Sequence, residues 1–203
     1  MEKIKVGVIG TGFIGPVHIE AIRRQGTAEV IALSEVNAEL ARTKANMLGI
    51  EKSYGDYKEL LADPEVQIVH ICTPNHLHYE IAKEAIAAGK NVVCEKPLAM
   101  NTEEGKELVE LADESGLICA MHLNCRAYPM VQQIRQMVKK GELGTIYAVN
   151  GSYQQDWLFK ETDYSWRLEK QFSGESRAVA DIGTHWFDTV ETVTGLKTKK
   201  VCA

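Results

Sequence analysis

The chain has 203 residues, of which 45% are hydrophobic and 25% charged, and its formal net charge is -5. This is the composition of an ordinary globular protein, and no lysine or arginine run is long enough to suggest binding to a nucleic-acid backbone. No apolar run approaches the length of a membrane span, and no signal-peptide pattern precedes the first predicted strand. We therefore expect a cytoplasmic protein with neither nucleic acid nor membrane as a partner.

The first 24 residues predict a strand, a glycine turn and a helix. Residues 4–9 are rich in β-branched side chains, as in a strand buried within a parallel sheet. Gly10, Gly12 and Gly15 then have the spacing G-x-G-x-x-G, and residues 14–24 carry a helical apolar repeat. In dinucleotide-binding proteins these glycines allow a tight turn, a close approach of the pyrophosphate, and close packing of helix on strand.

An acidic residue completes this fingerprint. A second predicted strand, residues 29–34, leads to Glu35, which lies roughly 20 residues past the glycines, where an acid binds the ribose hydroxyls. The competing interpretation is a glycine turn without a ligand and a solvated acid. Since strand, glycines, helix and acid occur in order, we favour nucleotide binding. Val36 follows Glu35 where NADP-binding proteins offer an arginine, so NAD is favoured over NADP.

Four more strands are predicted between residues 50 and 122, separated by helices. The strands end at Tyr54, Cys72, Cys94 and Met121, and the helices cover residues 37–48, 56–63, 79–88 and 102–115. This alternation predicts an α/β fold with a doubly wound parallel sheet, a Rossmann domain over residues 1–122. Ligands bind such sheets at the carboxyl ends of the strands. Gly10, Glu35, Thr73 and Lys96 all follow strand ends and are expected at one crevice.

The pattern changes after residue 122, so residues 123–203 are assigned to part of a second, α+β domain. A helix is predicted from Pro129 to Lys140, and residues 145–158 are expected to form one long strand. A further helix is predicted over residues 178–194. It places Asp181, His185 and Asp188 on one face.

Two residues suggest acid, base or electrostatic chemistry. Lys96 precedes a proline at a strand end, and its ammonium would stabilise alkoxide character on a substrate oxygen; the alternative is a surface lysine paired with Glu95. His185 is a candidate base that Asp181 would orient. The alternative for His185 is a capping or core-edge histidine.

His76 and His78, an H-x-H pair near Cys72, raise the alternative of a metal site. Alternate residues of a loop point apart, and no carboxylate cluster completes this set. We therefore expect no metal.

Four segments of the chain resemble one known family, the Gfo/Idh/MocA oxidoreductases: VGVIGTGFIGPVH, CTPNHLHYEIAKEAIAAGKNVVCEKPLA, NCRAYPMVQQIRQMVKKGELGTI and ADIGTHWFD. The resemblance implies a Rossmann domain followed by a domain built on a large open sheet. It also implies an NAD-dependent dehydrogenase or reductase that acts on the hydroxyl-bearing carbon of a sugar or polyol such as inositol. A homo-oligomer is expected.

The resemblance assigns roles residue by residue. Lys96 would be the catalytic lysine, His185 the proton-transfer residue, and Asp181 its orienting group and a ligand of a substrate hydroxyl. The residues that would line the cofactor are Gly10, Gly12, Phe13, Ile14, Gly15, Glu35, Thr73, Pro74, Asn75, His78 and Glu95. Those that would approach the substrate are Asn124, Arg126, Trp166 and Arg167.

The chain departs from the family pattern in two places. Residues 173–177, SGESR, replace a glycine-rich run before the D-x-G-x-H motif, and the sequence ends at residue 203, before several strands of the family's second domain. Two alternative functions therefore stay open. One is an NAD-dependent glycoside hydrolase of the same family, and the other is a non-catalytic NAD(H)-binding module.

Overall fold

The structure, a computed structural model, describes residues 2–202. The chain divides into a first unit, Met1–His122, and a second unit, Leu123–Ala203. Within residues 2–202 no helix has both the length and the apolar character needed to cross a membrane.

The first unit contains a six-stranded parallel sheet with the order β3-β2-β1-β4-β5-β6. Its strands are β1 (Ile4–Ile9), β2 (Ala28–Ser34), β3 (Lys52–Tyr54), β4 (Ile68–Ile71), β5 (Asn91–Glu95) and β6 (Cys119–His122). Its helices are α1 (Gly15–Gln25), α2 (Ala38–Leu48), α3 (Tyr57–Ala62), α4 (His78–Ala87) and α5 (Thr102–Ser115). The order reverses direction between β1 and β4, as in a doubly wound Rossmann sheet. The predicted fold class is confirmed.

Alternation of side chains along the strands creates an apolar layer on each face of the sheet. On one face, Val6, Val8 and Leu33 pack with Ile19 of α1 and Ala41 of α2. The other face carries a second cluster formed by β4, β5 and helices α3, α4 and α5: Leu60, Leu61, Val69, Ile71, Ile81, Ala82, Ala85, Val92, Cys94 and Leu108. Both faces are therefore covered, which a parallel sheet requires.

Local signals place the helix ends. The side chain of Asn37 accepts a hydrogen bond from the Leu40 N–H at 2.8 Å and begins α2, and Gly49 ends it in the left-handed conformation, with φ 60°. Strand β4, which the apolar run predicts over residues 66–72, is shorter than that in the structure. The N–H of Val66 bonds to the Asp63 carbonyl in a turn, so the pairing with β1 begins only at Gln67.

The second unit consists of helices, turns and irregular segments. It contains α6 (Pro129–Lys139), α7 (Lys170–Ser173), a π-helical segment (Val179–Gly183) and α8 (Thr184–Thr194), with 3₁₀ turns at Asn124–Ala127 and Trp166–Leu168. The predicted helix over residues 178–194 is therefore present, but its first turn is π-helical. Gly195 ends α8 with φ 72°.

The predicted strand over residues 145–158 is wrong, since residues 123–202 contain no strand. A strand needs a neighbour for its N–H and C=O groups, and the described part of this unit offers none. Side-chain contacts with α8 hold the segment instead. Gly151 lies against Trp186, where an added Cβ would come 2.2 Å from the indole ring, and Tyr153 stacks on His185.

Candidate functional site

The carboxyl ends of four parallel strands bring distant parts of the first unit to one edge of the sheet. Gly10 follows β1, Glu35 follows β2, Thr73 lies just past β4, and Lys96 follows β5. Backbone bonds tie the ends of these strands together. The Gly10 N–H donates to the Ser34 carbonyl at 2.9 Å, and the Cys72 N–H donates to the Ile9 carbonyl at 2.8 Å.

The turn after β1 depends on two glycines. Gly10 has φ 86°, and a Cβ there would lie 3.0 Å from the backbone of Cys72. At Gly15 a Cβ would lie 2.3 Å from the carbonyl oxygen of Gly10. A side chain at Gly10 would therefore push the turn away from the end of β4, and one at Gly15 would push α1 away from the end of β1.

The outer side of the same turn is open. A Cβ at Gly12 would meet no described atom within 4 Å, and the neighbouring Phe13 is 84% exposed. Ile14 is the N-cap residue of α1, and no side chain caps the helix there. The first N–H groups of a helix favour an anion. The backbone around Gly12 thus fits the approach of a dinucleotide pyrophosphate.

Glu35 contacts this turn directly. Its Oε1 accepts hydrogen bonds from both the backbone N–H and the hydroxyl of Thr11, each at 2.6 Å. Both hydrogen bonds are to the same carboxylate oxygen, Oε1, and they orient the Glu35 side chain at the sheet edge. The other oxygen, Oε2, takes part in neither of them. Val36, the next residue, is exposed and adds no cation. This arrangement fits the ribose hydroxyls of a dinucleotide and disfavours a 2′-phosphate.

A buried histidine joins the next two loops of the edge. Thr73 and Pro74 lead into the 3₁₀ turn Asn75–Leu77, and His78 begins α4. The His78 Nδ1 lies 2.6 Å from the Pro97 carbonyl oxygen, and its Nε2 lies 2.9 Å from that of Thr73. Burial lowers the pKa of His78, against the opposing effect of these two carbonyls.

Glu95 is directed into the protein. Its Oε1 lies 2.9 Å from His18 Nε2 and 2.7 Å from His122 Nδ1, and its Oε2 accepts the Lys96 N–H at 3.2 Å. Burial alone would raise the pKa of the Glu95 carboxyl, but the hydrogen bonds from His122 and His18 outweigh burial and lower the pKa to about 2. The Lys96–Pro97 peptide that follows is cis.

In the second unit, Asp181 lies in the π-helical segment with its side chain 10% exposed. Two guanidinium groups face it. Arg167 Nε is 3.5 Å from Asp181 Oδ1, and Arg177 Nη1 is 3.9 Å from Oδ2. Arg167 also lies over the rings of Trp166 and Trp157, at 4.7 and 5.5 Å from their centroids. Of the two residues predicted to approach substrate here, Arg167 thus pairs with the predicted orienting acid, and Trp166 contacts the guanidinium of Arg167.

His185 is buried one helical turn after Asp181 and stacks on Tyr153, with 5.7 Å between the ring centroids. Arg126 pairs with Asp188 further along α8, with Arg126 Nε donating to Oδ2 at 3.0 Å. Asn124 donates from Nδ2 to the Tyr128 hydroxyl at 3.0 Å. The structure therefore places Arg126 and Asn124 in contacts within the second unit.

Sequence reasoning missed several of these residues. Arg177 could have been predicted from the sequence as a partner of Asp181, because it precedes Asp181 by one helical turn and has the opposite charge. Tyr153 and the histidines His18, His70 and His122 carried no such signal, because their partners lie far away along the chain.

The doubly wound sheet and its glycine turn define a dinucleotide-binding protein of the Rossmann type. The chain belongs to the GFO/IDH/MocA oxidoreductase family. Residues 4–123 match the family's NAD-binding Rossmann fold, and residues 131–203 match its C-terminal domain.

Several characterised proteins are similar. A levoglucosan dehydrogenase from Pseudarthrobacter phenanthrenivorans is 36% identical over 206 residues, covering 96% of this chain and 52% of that protein. A 1,5-anhydro-D-fructose reductase from Ensifer adhaerens is 33% identical, covering 92% of this chain and 55% of that protein. The solved structure of a levoglucosan dehydrogenase in complex with NADH and levoglucosan superposes with a TM-score of 0.90 at 34% identity, covering 96% of this chain and 54% of that one. The chain thus spans about half the length of the relatives it matches.

Proposed function

We propose that this chain takes part in an NAD-dependent oxidation or reduction at the hydroxyl-bearing carbon of a sugar or polyol. The observation that carries the proposal is the edge formed by the Gly10–Gly15 turn, Glu35, the Thr73 loop and Lys96. When bound there, NAD supplies the hydride acceptor and NADH the hydride donor.

Binding is the task of the first unit in this proposal. The open backbone at Gly12 receives the pyrophosphate, and Glu35 accepts hydrogen bonds from ribose hydroxyls. Oxygen Oε1 is already occupied by Thr11, so Oε2 contacts the ribose. A 2′-phosphate would place negative charge beside this carboxylate, and for that reason NAD binds better than NADP.

The catalytic roles are assigned to Lys96, His185 and Asp181. The ammonium of Lys96 stabilises negative charge on the substrate oxygen, a role that fits its place directly after β5. His185 moves the hydroxyl proton, and Asp181 binds a substrate hydroxyl. The substrate class is supported by two relatives that are similar along most of this chain, since one is named for levoglucosan and the other for 1,5-anhydro-D-fructose.

The cofactor assignment is tested by calorimetric titration of NAD and NADP. The unaltered chain is expected to bind NAD more tightly, and Glu35→Ser to narrow the difference because both the repulsion and the ribose contact are weakened. Glu39→Ser, at an exposed acid in the first turn of α2, is the matched control and should change neither affinity. Tighter binding of NADP by the unaltered chain would contradict the assignment.

The catalytic assignment is tested by NADH formation with levoglucosan and a panel of sugars and inositols, using this chain and a lengthened one. Lys96→Ala should lower turnover by about 10² to 10³ with little effect on NAD affinity, because the lost charge acts on the reacting oxygen. Lys83→Ala is the control, because Lys83 of α4 pairs with Glu107 of α5. This substitution should leave turnover unchanged. Normal turnover in a competent Lys96→Ala protein would show the assignment to be wrong.

A further inference from the structure

A cluster of three histidines and one carboxylate lies on a single face of the sheet in the first unit. His70 of β4 pairs in register with Val93, and Glu95 pairs in register with His122 of β6. Since Val93 and Glu95 are two residues apart on β5, all of these side chains lie on one face. Helix α1 covers that face and contributes His18.

Three atoms of the cluster have the arrangement of a metal-ligand set. His18 Nε2, Glu95 Oε1 and His122 Nδ1 lie within 4.8 Å of one another, and both nitrogens are within hydrogen-bond distance of the same carboxylate oxygen. Metal–nitrogen bonds of 2.0–2.1 Å in a tetrahedral site would set these atoms about 3.3 Å apart. The two nitrogens would each move about half an ångström further from Glu95 Oε1, from 2.9 and 2.7 Å. They would also have to lie about 3.3 Å from each other, inside the 4.8 Å within which the three ligand atoms now lie.

A fourth residue orients one of the three. His18 Nδ1 lies 2.8 Å from His70 Nδ1. If His18 Nε2 binds a metal, its Nδ1 carries the proton and donates to His70. Histidines that bind metals commonly have such an outer hydrogen-bond partner, which fixes the ring and its tautomer.

The cluster has both a closed side and an open side. The side chains of His18 and Glu95 are 4% and 11% exposed, whereas that of His122 is 38% exposed. An ion can therefore enter beside His122, and the fourth coordination position would be open to water. Two imidazoles and one carboxylate suit Zn²⁺ and related transition ions rather than Mg²⁺ or Ca²⁺, which prefer all-oxygen sites.

We propose that His18, Glu95 and His122 form a binding site for Zn²⁺, with His70 as the positioning residue for His18. This site differs from the His76–His78 pair that the sequence drew attention to. Without a metal the same three groups satisfy one another by hydrogen bonds. Metal binding must therefore replace the two N–H bonds to Glu95 by coordinate bonds, while the protons move to the opposite nitrogens of the rings. The proposal does not depend on the proposed oxidoreductase function.

The test is a titration of the chelator-treated full chain with Zn²⁺, without cofactor or substrate. A Cys202→Ser background removes an exposed thiol that could bind the ion elsewhere. One equivalent of Zn²⁺ should bind per chain. His122→Ala, at the accessible ligand, should weaken binding by more than about 100-fold, since loss of an outer partner alone costs about 10- to 100-fold. His76→Ala removes a histidine outside the cluster and should leave the affinity unchanged.

Co²⁺ provides a second measurement that needs no variant beyond that background. Coordination by two nitrogens and oxygen should give the visible bands of a four- or five-coordinate ion without thiolate charge-transfer absorption. The proposal would be overturned by the absence of stoichiometric binding, by thiolate bands, by equal affinity in His122→Ala, or by loss of binding in His76→Ala. Should His122→Ala fail to fold by circular dichroism, the Co²⁺ spectrum decides.

Discussion

The two units of this chain bury very different kinds of side chain. Among residues 2–202, every buried hydrophobic residue lies in the first unit except Cys125 and Ala180. The second unit instead buries Ser173, Asp181 and His185, and its helix α6 buries no residue at all. Apolar side chains of the second unit such as Met130 and Phe159 are exposed.

This difference shows that regular helices do not by themselves make a core. Helix α6 has a clear apolar stripe and contacts α8 and the turn at Asn124–Ala127, but Met130 and Ile134 of that stripe remain exposed. In the first unit, helices pack on both faces of the sheet and bury an apolar cluster on each face. The free energy of folding should therefore be concentrated in the first unit.

Hydrogen exchange should show the largest contrast. Amides of β1 and β4 are expected to exchange only through global unfolding, which costs about 5 to 15 kcal/mol in typical domains, whereas residues 154–177 should open at almost no cost. Mass spectrometry of a dilute, monomeric sample measures both regions at once. Uniform protection of the two regions would break the comparison.

The same substitution in each unit tests the role of apolar burial. Ile71→Ala removes a fully buried side chain from β4 and should lower the free energy of unfolding by about 2 to 5 kcal/mol. Ile134→Ala on α6, where the side chain is 39% exposed, should change it by less than about 0.5 kcal/mol. Denaturant titration followed by circular dichroism gives both values. Equal losses would mean that α6 is buried in solution.

A smaller effect is expected in the pH dependence of folding stability, to which Asp63 of the first unit should contribute. Burial raises the pKa of this carboxyl, but hydrogen bonds from Lys52 at 2.8 Å, the Glu65 N–H at 2.9 Å and Tyr54 at 3.0 Å outweigh burial and lower it. A lowered folded-state pKa stabilises the fold above the unfolded value of about 4 and ceases to do so as the pH falls through the folded value.

Asp63→Asn should therefore cost about 1 to 3 kcal/mol at neutral pH, and its stability should depend less on pH below about 4 than that of the unaltered chain. Thermal or denaturant unfolding across the acid range measures both effects. Glu20→Gln, at an exposed ion pair with Arg24, is the control and should lie within about 1 kcal/mol of the unaltered chain. If the free energy of unfolding of Asp63→Asn fell with decreasing pH as steeply as that of the unaltered chain, groups other than Asp63 would be responsible for the loss of stability in acid.

The sequence predicted the first unit well because its signals are local. Apolar runs, the cap at Asn37 and the glycines at Gly10 and Gly49 each act within a few residues, and the structure confirms the six strands. The same reasoning failed at residues 145–158. Alternating polarity there indicated two faces but carried no information on whether another strand was available for pairing.

The contacts within the site were harder to predict, since they join residues that are distant in sequence. His18 meets His70 across 52 residues and Glu95 across 77. No spacing rule relates residues so far apart. Glu95 was expected beside a cofactor because of its motif, but only the packing of α1 on the sheet shows that its carboxylate meets two histidines. The roles of the predicted catalytic residues stay predictions.

One consequence of the buried His78 concerns its single proton. A neutral imidazole carries one N–H, while the two nitrogens of His78 face the carbonyl oxygens of Pro97 and Thr73 at 2.6 and 2.9 Å. Only one of these loops can receive the hydrogen bond at any moment. The Nδ1–H tautomer holds the segment after β5, and the Nε2–H tautomer holds the segment after β4. The loops that present Lys96 and Thr73 therefore compete for one hydrogen, and the ¹⁵N chemical shifts of this ring would report which of them has it.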